Sequence, residues 1–182
     1  LKNTIGFIEL NSIARGIETA DAMVKAADVE LLFSRPVCPG KFIILIFGDV
    51  GSVKASFNAG HQQGAQYVVD EMLLTNASPQ LVPAMYGLTR FDKQNAVGIV
   101  EFFNIAGAIA AADEAVKAGA VQLLEIRLGV GIGGKAYFTL AGDVSSVEEA
   151  VAAGKRQAEK NGILVESSVI PSPCKEVFDN LL

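Results

Sequence analysis

The sequence predicts an α/β protein of the α+β kind. Two tandem domains are expected, each an antiparallel four-stranded sheet flanked by helices in the order β-α-β-β-α-β-α. Three observations lead there. Residues 5–35 recur as residues 97–127 at a fixed offset of 92, with 14 of 31 positions identical, and a long internal repeat marks a duplicated structural unit. Within each copy, short β-branched runs alternate with longer stretches of helical period. A Gly-Lys turn, Gly40-Lys41 and Gly134-Lys135, then separates two adjacent strand-like runs in each copy, the signature of a hairpin.

Each element has its own reason. Ile5–Leu10 and Val97–Phe103 are β-branched runs that read as buried strands. A helix comes next, with Ile13, Ile17, Ala20, Val24 and Ala27 as one apolar stripe and Ile105, Ile109, Ala112, Val116 and Gly119 as its repeat. Positions 29–37 and 121–130 read as second strands, and 42–47 and 136–141 as third strands. Asp49 and Asp143 stand before the next helical pattern as N-caps, because a short carboxylate accepts from the orphan N–H groups of a first helical turn. That helix carries Val53, Phe57, Gly60 and Gly64 in one copy and Val147, Val151, Gly154 and Ala158 in the other. Fourth strands are expected at 68–74 and 163–169, and each copy closes with Ser-Pro and a short amphipathic tail. The domains fall at 1–87 and 97–182, joined by a linker at 88–96.

Composition narrows the function. Apolar residues make up 51% of the 182 and aromatics 7%, a surplus of small aliphatics that suits subunit interfaces. No apolar run is long enough to span a membrane, and no secretory signal pattern is present. The net charge is −5 without a basic run, which argues against nucleic acid as a partner. Cys38 and Cys174 occupy non-equivalent places in the repeat, so free thiols in a cytoplasmic protein fit better than a disulfide framework.

Several residues invite a functional reading. Gly129–Lys135 (GVGIGGK) satisfies the spacing of a phosphate loop, but Ala136 replaces the required Ser or Thr and a strand comes next instead of a helix. Cys38 sits in a turn where copy two has only Val130, Gly131, Ile132 and Gly133. One cysteine without a C-x-x-C partner cannot hold a cluster within one chain, and by itself it reads as a small buried thiol. Lys25 and Lys117 each stand four residues after an Asp and read as helix-face ion pairs. His61, the single histidine, has no metal or triad spacing around it and reads as exposed. Cys174 reads as a partly exposed bystander. Glu9 and Glu101 are equivalent strand positions and read as structural before catalytic.

The words IGFIEL, DAMVKAADVELL and PGKFIILIFGDVGSVKAS, with VGIVE, DEAVKAGAVQLL and GGKAYFTLAGDVSSVEEAV in copy two, resemble the bacterial microcompartment shell domain. The resemblance covers essentially the whole chain and points to the unpermuted tandem class. It implies a homotrimer, a pseudohexamer with six domains around a pore. It further implies assembly with other shell proteins in a microcompartment shell within the cytoplasm, and no turnover of its own. A soluble pair of regulatory domains binding a small ligand is the reading from another class. Lys25 and Lys117 would lie at the lattice edge where oligomers meet. Pro36, Val37, Cys38, Pro39, Gly40 and Lys41 would form one pore loop, and Val130, Gly131, Ile132, Gly133 and Gly134 the other. Cys38 from three chains would ligate one [4Fe–4S] cluster on the three-fold axis. The backbone N–H groups of Gly40 and Lys41 would be available to its sulfurs, and the cluster would pass electrons to a redox enzyme inside. The alternative is an open, cluster-free pore for small metabolites.

Overall fold

A computed structural model describes residues 2–89, 96–178 and 180, with Gln157 described in its backbone only. The chain forms two compact units, Leu1–Ala77 and Ser78–Leu182. The first runs β1 (Thr4–Leu10), α1 (Ile13–Ala26), β2 (Glu30–Val37), β3 (Lys41–Gly48), α2 (Val50–Gly64), a single 3-10 turn (Ala65–Tyr67) and β4 (Val68–Leu74). The second begins with α3 (Leu81–Met85) and runs β5 (Ala96–Phe102), α4 (Ile105–Ala118), β6 (Val121–Leu128), β7 (Ala136–Gly142), α5 (Val144–Lys160), β8 (Leu164–Ile170) and α6 (Lys175–Phe178). The linker expected at 88–96 falls mostly on positions 90–95, outside the described residues. Residues 78–87, which come after copy one in sequence, pack within the second unit.

Both sheets have the order second, third, first, fourth strand, and all the paired strands are antiparallel. Alternation decides the faces. In the first unit Ile8, Leu10, Phe42, Ile44 and Ile46 pack with Ala20 and Met23 of α1 and Val53 of α2. The helices lie close to the sheet and to each other because small residues allow it. A Cβ on Gly16 would fall 2.3 Å from the Phe42 ring, and one on Gly60 2.6 Å from Met23. Asp49 caps α2 as expected, its Oδ1 accepting from the N–H groups of Gly51 and Ser52 at 3.0 Å each.

The apolar stripe of α1 is buried only in part: Ile13, Ile17 and Val24 are exposed, while Ala20 is buried together with Gly16, Thr19 and Met23. The equivalent stripe on α4 is buried, with Ile105, Ile109 and Ala112 fully enclosed. Helical period locates an apolar stripe but does not say what covers it.

Candidate functional site

Cys38 stands at the tip of the β2–β3 hairpin, in a three-residue turn between Val37 and Lys41. The turn closes through the Gly40 N–H, which donates to the Val37 carbonyl at 2.9 Å. Gly40 has φ +96°, a conformation that costs a side-chain-bearing residue roughly 1–2 kcal/mol. Its N–H is therefore spent inside the turn and is not free for a sulfur, contrary to expectation. The Cys38–Pro39 peptide is cis. Val37 is buried beneath the tip, and Cys38 is a free, half-buried thiol.

An ion pair anchors the base of this turn. Lys41 Nζ lies 3.0 Å from Glu9 Oε1, and the Glu9 side chain is buried. Burial raises the Glu9 carboxyl above the ordinary carboxylate range, Lys41 opposes that shift, and Asp70 adds to it. Asp70 faces Glu9 directly across β1 and β4, a like-charge placement that is unfavourable on its own. Lys41 is the cation that makes it tolerable.

Copy two repeats this frame and discards the thiol. Lys135 pairs with Glu101, and Glu101 faces Glu166 across β5 and β8. The β6–β7 turn is wider. The Gly129 N–H donates to the Lys135 carbonyl and the Lys135 N–H to the Ile132 carbonyl, while Gly129, Gly131, Gly133 and Gly134 all have positive φ. A strand begins at Ala136, so the phosphate-loop spacing is a turn between strands. These two Glu–Lys pairs are not apparent from local sequence pattern. A signal for them exists, since both copies keep Glu on the first strand and Lys at the start of the third.

The two helix-end lysines differ in setting. Lys25 reaches Asp21 at 2.6 Å with both side chains mostly exposed. Lys117 pairs with Asp113, whose side chain is buried and whose Oδ1 also accepts the Ser78 N–H at 2.8 Å. His61 is exposed, as expected, with Nδ1 2.7 Å from Glu71. Cys174 is exposed and free. A cleft beside α3 is lined by Pro79, Gln80, Pro83, Leu88, Thr89, Gln122 and Leu123, none of which ionises. Among the described residues no three His, Cys, Asp or Glu side chains converge as a metal site, and no helix is long and apolar enough to cross a membrane.

Two four-stranded antiparallel units, each with two long helices packed on its sheet and a lysine-anchored hairpin turn, define a tandem shell-type protein. The BMC domain family matches residues 4–77 and 96–173, and the chain belongs to that family. It is a structural, non-enzymatic component of a bacterial microcompartment shell. It is 43% identical over its whole length, and over 99% of the relative's, to the microcompartment shell protein PduT of Citrobacter freundii. A crystal structure of a microcompartment protein from Desulfitobacterium hafniense superposes with a TM-score of 0.93 at 52% identity, covering 97% of this chain and 98% of that one. The shell protein PduA of Citrobacter freundii is 39% identical over 59 residues, 32% of this chain and 63% of the relative.

Proposed function

We propose that three copies of this shell protein form a closed ring whose central pore is lined by the two hairpin turns, and that Cys38 from each copy ligates one [4Fe–4S] cluster there. The observation that carries the reading is the turn itself. Of two equivalent hairpins on equivalent Glu–Lys anchors, one presents a free thiol at its tip and the other only glycines and aliphatics. Thiolate is the donor such clusters take. Among the described residues a single chain brings no metal-ligand cluster to Cys38, so the donor set would be complete only when symmetry supplies the other two thiols. Three thiolates leave one iron of the cubane to a non-protein ligand.

When bound, the cluster supplies one-electron transfer. The chain's own residues hold the thiol in place. Val37 is buried below it, Gly40 closes the turn, and Lys41 is tied to Glu9. Pro36 and Pro39 fix φ on either side. The glycine turn of copy two leaves room beside the cluster. Lys25, and Lys117 with it, would face neighbouring rings and other shell proteins at the lattice edge. Electrons would pass between the two sides of the shell, to a redox enzyme within.

The test is iron and acid-labile sulfide per trimer after anaerobic purification and reconstitution, on the parent and on Cys38→Ser. About four of each per trimer, lost in the variant while the trimer persists, is expected. An intact trimer that stays metal-free after reconstitution would overturn the cluster and leave an open metabolite pore.

A further inference from the structure

The two hairpin anchors differ in one respect that bears on the Cys38 turn. In copy one a single row of side chains crosses the sheet at the base of that turn. Strand register places Arg35 of β2, Ile43 of β3, Glu9 of β1 and Asp70 of β4 side by side. The same row in copy two is Arg127, Tyr137, Glu101 and Glu166. Both rows carry two facing acids, with a lysine at the start of the hairpin's second strand. Only the first row is closed to solvent at its central acid: the Glu9 side chain is 1% exposed and the Glu101 side chain 32%. The buried carboxyl therefore belongs to the turn that carries a thiol, and its solvated counterpart to the turn that carries none.

Burial sets how Glu9 responds to charge. Water and salt mask a charge from an exposed carboxylate, whereas an enclosed one feels charges well beyond contact distance. The groups that face Glu9 come from each neighbouring strand. From β3 comes Lys41, with Nζ 3.0 Å away. From β4 comes Asp70, directly opposite. From β2, beyond the buried Ile43, comes Arg35, whose guanidinium lies 4.3 Å from the centre of the Phe33 ring. Burial favours the protonated carboxyl most, Lys41 opposes it, and Asp70 adds to it. A carboxyl held between opposing influences changes state when a nearby charge changes. The Cys38 thiol is such a neighbour, three residues before Lys41.

We infer that Glu9 is the proton acceptor that accompanies reduction at the Cys38 site: a Glu9 carboxylate takes up one proton from solvent when the iron–sulfur group held by the three thiols gains one electron. The inference rests on the cluster of the proposed function. The electron comes from a low-potential donor of the flavin or iron–sulfur class. The proton comes from water, one O–H bond forms, and the carboxylate becomes a carboxylic acid. Reoxidation returns both. Negative charge added at the thiolates raises the proton affinity of Glu9, and by reciprocity a protonated Glu9 makes the electron easier to accept. Glu101, at the equivalent place but open to solvent, takes no part.

The test uses the anaerobically reconstituted trimer. Its midpoint potential is measured by redox titration with electron paramagnetic resonance at a series of pH values. The parent potential should fall as pH rises through the titration of Glu9. A tenfold rise in proton affinity on reduction corresponds to a total fall of about 59 mV for a one-electron couple. Glu9→Gln should hold a level potential over the same range, and Glu101→Gln should keep the parent slope. Asp70→Asn should move the falling region to lower pH, because Asp70 raises the Glu9 carboxyl. Infrared difference spectra should show a protonated-carboxyl band on reduction of the parent and of Glu101→Gln, absent from Glu9→Gln. Should Glu9→Gln not assemble, the Asp70→Asn shift and the parent's infrared band decide the matter. A cluster-loaded parent whose potential is level with pH, with no carboxyl band on reduction, overturns this inference and leaves the cluster standing. Trimers that take up no iron overturn the cluster, and the inference with it.

Discussion

Helices α1 and α4 descend from one sequence and perform different tasks. Ile17 is 59% exposed, and its counterpart Ile109 is fully buried. Asp21 is solvated, whereas Asp113 is enclosed and accepts a backbone N–H besides its lysine. The residues are the same; the neighbours are not. What differs is whether the segment after the preceding sheet has been laid over the helix. A duplicated unit thus keeps one surface to stabilise its own chain and holds the other in reserve. An identical residue pair carries different energetic weight in the two places.

Substitutions at paired positions would sharpen this contrast. A first contrast comes from Asp113→Ala, which leaves the part-buried Ser78 N–H without its acceptor while the partly exposed Lys117 ammonium turns to solvent. Leaving such a donor unpaired costs about 1–3 kcal/mol, whereas Asp21→Ala, at an exposed i,i+4 pair, should cost less than about 0.5 kcal/mol. Denaturant midpoints of the two variants, taken at concentrations too low for assembly, check this. Equal losses would mean that the enclosure of Asp113 carries no weight.

Next comes the apolar stripe. Ile109→Ala should destabilise the chain by about 2–5 kcal/mol, the range for deleting a buried aliphatic side chain. Ile17→Ala should leave the unassembled chain within about 0.5 kcal/mol of the parent. Thermal unfolding of both, again below the assembly concentration, separates a core position from an exposed one.

The hairpin anchors give a pH-dependent contrast. Glu9 has its carboxyl pushed above the ordinary value of 4.5, chiefly by burial, against the pull of Lys41. The folded state therefore holds that proton more tightly than the unfolded chain does. The stability this confers is fully present below the ordinary value and is lost as pH rises through the raised one. Glu9→Gln should flatten that decline. Unfolding free energies of parent and variant between about pH 4 and pH 7 would show it, and parallel curves would mean that Glu9 does not set the slope.

The smallest effect concerns the turns. Gly133→Ala, at φ +67°, should cost about 1–2 kcal/mol for the left-handed backbone. Cys38→Ser should leave chain stability nearly unchanged, because the half-buried thiol closes no bond in the turn. If Cys38→Ser unfolded the chain, the thiol would be a structural residue, and its loss could not be read as loss of a ligand.

Much of this was legible in the sequence. The repeat announced two domains, the β-branched runs marked the strands, and the Gly-Lys turns marked the hairpins. Asp49 was readable as a cap because capping is local chemistry within four residues. The divergence at Cys38 stood out because the other copy served as its control. Less was legible wherever the answer depended on a distant neighbour. Glu9 and Lys41 are 32 positions apart in sequence, and no local pattern pairs them; strand register does. The partner of the Gly40 N–H, the Val37 carbonyl, is a matter of backbone geometry that the sequence does not show, so from sequence that N–H reads as available to a ligand.

The stripes of α1 and α4 show where the division lies. Sequence by itself determined that both helices are apolar at the same positions, because side-chain period comes from the 3.6-residue turn. It determined the order of the elements, their caps and the position of the unpaired thiol for the same reason, each being fixed within a few residues. Only the tertiary structure decided that residues 78–85 lie over α4 and β6, burying one stripe and leaving its twin in solvent. Burial depends on which surface arrives from elsewhere in the chain, and a periodic pattern of side chains carries no information about that arrival.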